Sequence, residues 1–136
     1  MIGKALNPAT AVGEHTRIAR FLAVGVLNTL VGLLAIYLCK LLLGTGDVVS
    51  NALGYAVGLA NSFAWNRRWT FAHSGAVLPA AARFVIVFLI AYFLNLATVM
   101  AAIHLFGVNG YVAQALGIAP YTAFFYVGSR WFAFRG

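Results

Sequence analysis

Apolar residues fill four long stretches of this chain, and polar residues collect between them. Phe21 to Leu43, Val48 to Trp65, Phe84 to Phe106 and Tyr111 to Gly128 carry no formal charge except Lys40 near one end. At about 1.5 Å per helical residue these stretches reach roughly 27 to 35 Å, enough to cross a hydrocarbon core of about 30 Å. The pattern predicts an all-α integral membrane protein with four transmembrane helices, at about 21–43, 48–66, 84–106 and 111–129. Gly44-Thr45-Gly46-Asp47 and Gly107-Val108-Asn109-Gly110 read as tight turns, each joining two antiparallel helices into a hairpin. Residues 1–19 form a cytoplasmic or interfacial tail, and residues 20–136 form the membrane domain. Asn7-Pro8 resembles a helix start, so Ala9 to Arg20 is expected to lie along the interface, and Pro79 offers a similar approach to Arg83.

Composition agrees with lipid as the solvent. Of 136 residues, 63% are hydrophobic and 8% charged, far from the roughly 45–50% apolar content of a soluble domain. Nine Lys and Arg against Glu14 and Asp47 give a formal charge of +7, which in a soluble chain would raise nucleic-acid binding. Here the cations sit beside apolar spans, so anionic lipid head groups are the expected partners and nucleic acid is not. Lys4, Arg17 and Arg20 precede the first span, Arg67, Arg68 and Arg83 lie in the middle loop, and Arg130 and Arg135 follow the last. Only Lys40 approaches the opposite face, where it can snorkel. The positive-inside rule then places both termini in the cytoplasm, and the first span serves as its own uncleaved insertion signal. Cys39, alone in an apolar helix, excludes an internal disulfide and reads as a packing residue.

The two halves repeat. A shift of 63 residues without a gap superposes Arg20-Phe21 on Arg83-Phe84, Gly44 on Gly107, and Ala52-Leu53-Gly54 on Ala115-Leu116-Gly117. It also places Arg67 on Arg130 and Phe71 on Phe134. Both hairpins would start in the cytoplasm, which makes the repeat parallel, with a pseudo-twofold axis along the membrane normal. Such symmetry suits transport, and gene duplication of a plain bundle would also produce it.

Polar residues in the spans recur at helical spacing. Asn51, Tyr55, Gly58, Ser62 and Asn66 form one stripe of the second span, and Gly54, Gly58, Asn61 and Trp65 an adjacent one; Gly25, Asn28, Thr29 and Gly32 do the same in the first. Helix packing explains part of this, with Gly25, Gly54 and Gly58 admitting close backbones. The alternative is a shallow polar pocket of Asn28, Asn61 and Asn66 near the cytoplasmic surface, with Asn95 deeper. Arg67 and Arg68 end the second span between Trp65 and Trp69, and Arg130 and Trp131 end the fourth. Guanidinium forks hold phosphate, and aromatic faces stack on sugars or isoprenoid chains; a positive-inside cluster beside an aromatic belt is the plainer alternative. His104 stands without a second histidine for metal or haem, and no catalytic set, metal spacing or phosphate loop is present, so neither enzymatic activity nor a cofactor is expected. The lack of a carboxylate mid-span argues against proton antiport.

Arg20-Phe21, Val24-Gly25 and Asn28-Thr29, followed by Asn61-Ser62, Asn66-Arg67 and Trp69-Thr70-Phe71, resemble the GtrA-like family of small four-helix bacterial membrane proteins. The resemblance covers Arg20 to Phe134 and implies a role in cell-surface polysaccharide synthesis, moving polyprenyl-phosphate-linked sugars from the cytoplasmic to the outer leaflet of the bacterial cytoplasmic membrane. On that footing Arg67, Arg68 and Arg130, with Arg20 and Arg83, would attract the lipid phosphate. Asn28, Asn61, Ser62, Asn66 and Asn95 would face the sugar. The second hairpin departs from the family pattern at Phe125 and Trp131, where an Asn and an Arg are usual. Two rival readings are a non-transporting partner that anchors or recruits a membrane glycosyltransferase, and a small multidrug exporter using Glu14. Four short helices enclose little space, so a homo-oligomer is expected, most simply a dimer closed through Gly54 and Gly58.

Overall fold

A computed structural model of the chain describes residues 12–135. Its helices are α1 (Glu14–Leu42), α2 (Asp47–Trp65), α3 (Val77–Phe106) and α4 (Gly110–Gly128). α2 runs on into a π-helical turn, Asn66–Thr70, and α4 into another, Ser129–Ala133. No strand occurs among the described residues. The chain divides into two compact units at His73 and Ser74, and each unit is a helical hairpin.

Several element boundaries depart from the sequence reading. Among the described residues no separate interfacial helix precedes the span, because Gly13 is extended and α1 then runs unbroken from Glu14. The proposed start at Pro8 lies outside the described residues. α3 likewise begins at Val77, with Pro79 in its first turn, where the missing N–H has no intrahelical partner to lose. With 29 and 30 residues, α1 and α3 extend about 43 to 45 Å, longer than the bilayer core.

Among the described residues α1 and α3 are the helices long and apolar enough to cross a membrane by length and composition. Only 11% and 22% of their most apolar windows is buried. A core helix of a soluble protein would bury that surface, whereas Leu30, Leu34, Ile86 and Ile90 face outward here. α2 and α4 have 19 residues each, about 28 Å, and polar residues such as Asn51, Asn61 and Gln114 dilute their apolar content.

The two hairpins close alike. Gly44 (φ +62) ends the α1 side of the first turn and Gly107 (φ +64) ends α3, each in the left-handed region that favours glycine. Thr45 N–H then donates to Cys39 O at 3.3 Å and Val108 N–H to Ala102 O at 3.0 Å, satisfying carbonyls the helix ends leave open. Across the first turn Lys40 pairs with Asp47, so the cation expected to snorkel alone is neutralised beside its own turn.

α2 lies against α1 through glycine. A Cβ on Gly54 would stand 2.3 Å from Ile36 Cγ1 and 2.9 Å from the Gly32 carbonyl oxygen. One on Gly58 would touch Asn28 Oδ1 at 3.5 Å. Gly54 and Gly58 are therefore closed inside the hairpin and do not offer the dimer seam expected of them. Gly25 is exposed, with nothing within 4 Å of a Cβ, and takes no part in packing α1 on α2. In the second hairpin Gly117 does what Gly54 does, since a Cβ there would stand 2.6 Å from Asn95 Nδ2 and 2.8 Å from Val99 Cγ2.

Gly54→Ala is expected to cost about 1–3 kcal/mol through overpacking against a backbone carbonyl, while Gly25→Ala is neutral or stabilising. Unfolding in mixed detergent micelles measures both. Ala72 holds φ +46 without being glycine, at the position where His73 N–H reaches back to Arg67 O at 2.8 Å. Ala72→Gly is expected to raise stability by about 1 kcal/mol in the same assay by relieving that left-handed strain.

Candidate functional site

The end of the first hairpin opposite its turn concentrates polar side chains in an otherwise apolar unit. Ser62, Asn66 and Thr70 are spaced four residues apart, so helical geometry stacks them on one face, and all three are buried. Asn66 Nδ2 donates to Ser62 Oγ at 3.1 Å, and Thr70 Oγ1 donates to Asn66 Oδ1 at 2.8 Å. The result is a polar ladder running through the π turn. Thr70 was absent from the sequence-based site, although the spacing from Ser62 and Asn66 could have found it.

Not every buried polar atom near the ladder is satisfied. Asn28 Oδ1, beside Gly58, and Asn61 Nδ2 are enclosed and have no hydrogen-bond partner. An enclosed amide without a partner costs about 1–3 kcal/mol, so this acceptor and this donor are held at a cost to stability. Thr29, by contrast, donates to Gly25 O within its own helix at 3.1 Å. Asn51 and Tyr55 are exposed.

The arginines divide by role. Arg20 Nη1 donates to Trp69 O at 3.0 Å, and its guanidinium lies 5.1 Å from the Trp69 ring centroid. Phe21, next in sequence, meets Phe71 at 6.3 Å. Together they fasten the start of α1 to the π turn and satisfy a carbonyl that the turn leaves open. Arg67 is half-buried and Arg68 exposed.

Trp65 and Trp69 stand nearly perpendicular, with ring centroids 6.5 Å apart. With Ala23, Val24 and Leu27 they line an open apolar groove of about 300 Å³ between α1 and the end of α2. Polar ladder, unpartnered amides, guanidiniums and groove thus all belong to one hairpin.

The second hairpin keeps the fastening and drops the ladder. Arg83 Nε and Nη2 donate to Ala133 O at 3.3 and 3.1 Å, and Phe84 packs on Phe134 at 5.6 Å. Arg20 and Arg83, expected to serve lipid phosphate, thus spend donors on the backbone of their own hairpins. Where the first hairpin has Ser62, Asn66 and Thr70, the second has Phe125, Ser129 and Ala133. Phe125 joins Phe84, Phe88 and Tyr121 in an aromatic cluster with centroids 5.1 to 6.1 Å apart. Ser129 is fully buried with its Oγ unpartnered. Arg130 lies over the adjacent Trp131 at 5.3 Å, and Asn95 is held against Gly117 of α4. Of the predicted site, Asn28, Asn61, Ser62, Asn66, Arg67, Arg68, Trp65, Trp69 and Arg20 share the first hairpin, while Arg83, Asn95, Arg130 and Trp131 belong to the second.

No curated protein sequence matches the chain. The family model described as the GtrA/DPMS transmembrane domain matches residues 20–134, beginning at the arginine that fastens the first hairpin and ending at the phenylalanine that closes the second. That match spans nearly the whole sequence, and the chain therefore belongs to the GtrA/DPMS transmembrane domain family, a family with a membrane role in glycan synthesis.

Proposed function

We propose that the protein translocates polyprenyl-phosphate-linked sugars across the bacterial cytoplasmic membrane, for cell-surface polysaccharide or glycan modification. The observation that carries this reading is the pair of enclosed, unpartnered amide atoms, Asn28 Oδ1 and Asn61 Nδ2, beside the Ser62–Asn66–Thr70 ladder. Moving a sugar phosphate bare through hydrocarbon costs several kcal/mol or more. Amides replace water around the sugar hydroxyls, and Arg67 and Arg68 neutralise the phosphate, so the barrier falls without ATP. Consumption of the lipid on the outer face then gives the direction.

In this reading all four helices cross the bilayer, the hairpins run parallel, and both termini lie in the cytoplasm. The distribution of Lys and Arg supports that orientation, and the Lys40–Asp47 pair removes the one cation that opposed it. Glu14 pairs with Arg17 at 2.9 Å in the first turn of α1, which is poor placement for a proton-coupled exporter.

The test is outer-leaflet appearance of a labelled polyprenyl-phosphate sugar in proteoliposomes. Wild-type protein is expected to move it, and Asn66→Ala and Arg67→Ala to lose at least about tenfold in rate, the equivalent of one buried, charge-assisted hydrogen bond. Absence of movement with several sugar lipids, together with a stable complex with a membrane glycosyltransferase, would establish the anchoring role instead. We also expect a homo-oligomer, with an interface away from Gly54 and Gly58. Crosslinking in native membranes that finds only monomer would remove it.

A further inference from the structure

We propose that the groove of the first hairpin is a docking site for the phosphate-proximal isoprene units of a polyprenyl phosphate. The inference rests on the translocation reading and assigns the hydrocarbon chain a fixed place on the protein instead of leaving it in bulk lipid.

The groove is lined by Ala23, Val24, Leu27, Trp65 and Trp69, all from one hairpin. A cavity of about 150 Å³ holds one benzene, so about 300 Å³ matches roughly two five-carbon isoprene units. Apolar lining alone selects nothing inside a membrane, because lipid tails are as apolar as leucine. Selectivity requires something bulk lipid lacks, and the indoles provide it. Their planes cross at 78°, presenting flat π faces in two directions, which suits the planar, methyl-branched double bonds of an isoprenoid better than a straight saturated chain.

The groove also has a head end. Arg20 stacks 5.1 Å from the centroid of Trp69, one of the walls, and only Nη1 is committed to the Trp69 carbonyl. Its other N–H groups remain for a phosphate oxygen, with exposed Arg68 adjacent to Trp69 in sequence. A phosphate joined to a prenyl chain fits this pairing of cation and aromatic groove.

The second hairpin does not repeat the paired indoles, with Gly128 and Phe132 at the positions of Trp65 and Trp69. Its residue in the place of Trp65 is Gly128, where even a Cβ would stand 2.5 Å from Val87 Cγ1. Space for a chain exists where the bulky indoles project from the hairpin and is closed where valine meets glycine.

The test uses full-length protein carrying Trp131→Phe, which leaves Trp65 and Trp69 as its tryptophans. Reconstituted in vesicles of brominated phosphatidylcholine, their fluorescence is quenched by bromines in the groove. Adding undecaprenyl phosphate is expected to restore fluorescence by displacing brominated chains. Ala23→Phe and Leu27→Phe, each filling the groove from an α1 position, are expected to abolish the recovery while helical circular dichroism is retained. No recovery with undecaprenyl phosphate, equal recovery with dioleoyl phosphatidic acid, or full recovery in both filled variants would overturn the proposal. Sugar-lipid movement without fluorescence recovery would sink the groove alone. Recovery without movement would leave the groove standing and remove translocation.

Discussion

Close approach of two helices at glycine is the constraint on which each hairpin depends. In lipid, burying leucine gains nothing over leaving it exposed to acyl chains, so helices associate through van der Waals contact and polar bonds made at short range. Gly54 meets the Gly32 carbonyl and Ile36 with no room for a methyl group, and Gly117 meets Asn95 and Val99 in the same way. At the open end of each hairpin an arginine donates to a carbonyl of the π turn and a phenylalanine pair closes beside it. Left-handed glycines and back-bonded N–H groups finish the turn at the other end. Three short-range devices therefore replace the hydrophobic core that a soluble helical hairpin would require.

That economy frees the space between the devices to differ. In the first hairpin it holds Ser62, Asn66 and Thr70, whose mutual hydrogen bonds make burial tolerable. In the second it holds Phe125 among other aromatic rings. Both hairpins nonetheless end in a five-residue π turn at matching positions, so the polar ladder does not cause the turn. What the two turns share is an arginine, Arg20 or Arg83, donating to one of their carbonyls, and the packing of Phe71 or Phe134 just beyond them. Two units built from one plan thus enclose different side chains, a hydrogen-bonded polar ladder in the first and an aromatic cluster in the second.

The unsatisfied amides gain their meaning from this background. Most polar groups in the first hairpin, including Thr29, Thr45 and Ser50, find local partners. Asn28 Oδ1 and Asn61 Nδ2 do not. They share a hairpin with an apolar groove and with Arg20, whose guanidinium commits Nη1 to a backbone carbonyl. The proposed translocation of a lipid-linked sugar draws on that combination.

Much of this protein was legible in its residues before any coordinates. Apolar runs located the four helices, because lipid demands continuous apolar stretches of a length set by the bilayer. Gly44 and Gly107 located the turns, because left-handed backbone favours glycine. The family motifs at Asn28, Asn61, Asn66 and Arg67 pointed to the hairpin that holds the polar ladder, since helical spacing alone puts Ser62 and Asn66 on one face. Tertiary structure alone decided which glycines are spent inside a hairpin, because Gly25 and Gly54 differ in nothing but what lies opposite them. It alone separated Arg20 and Arg83, which reach about 50 residues along the chain to a backbone carbonyl, from Arg68, which does not. Composition fixes the number of polar groups, but whether each one is satisfied depends on neighbours that are distant in sequence, and only folding brings those together.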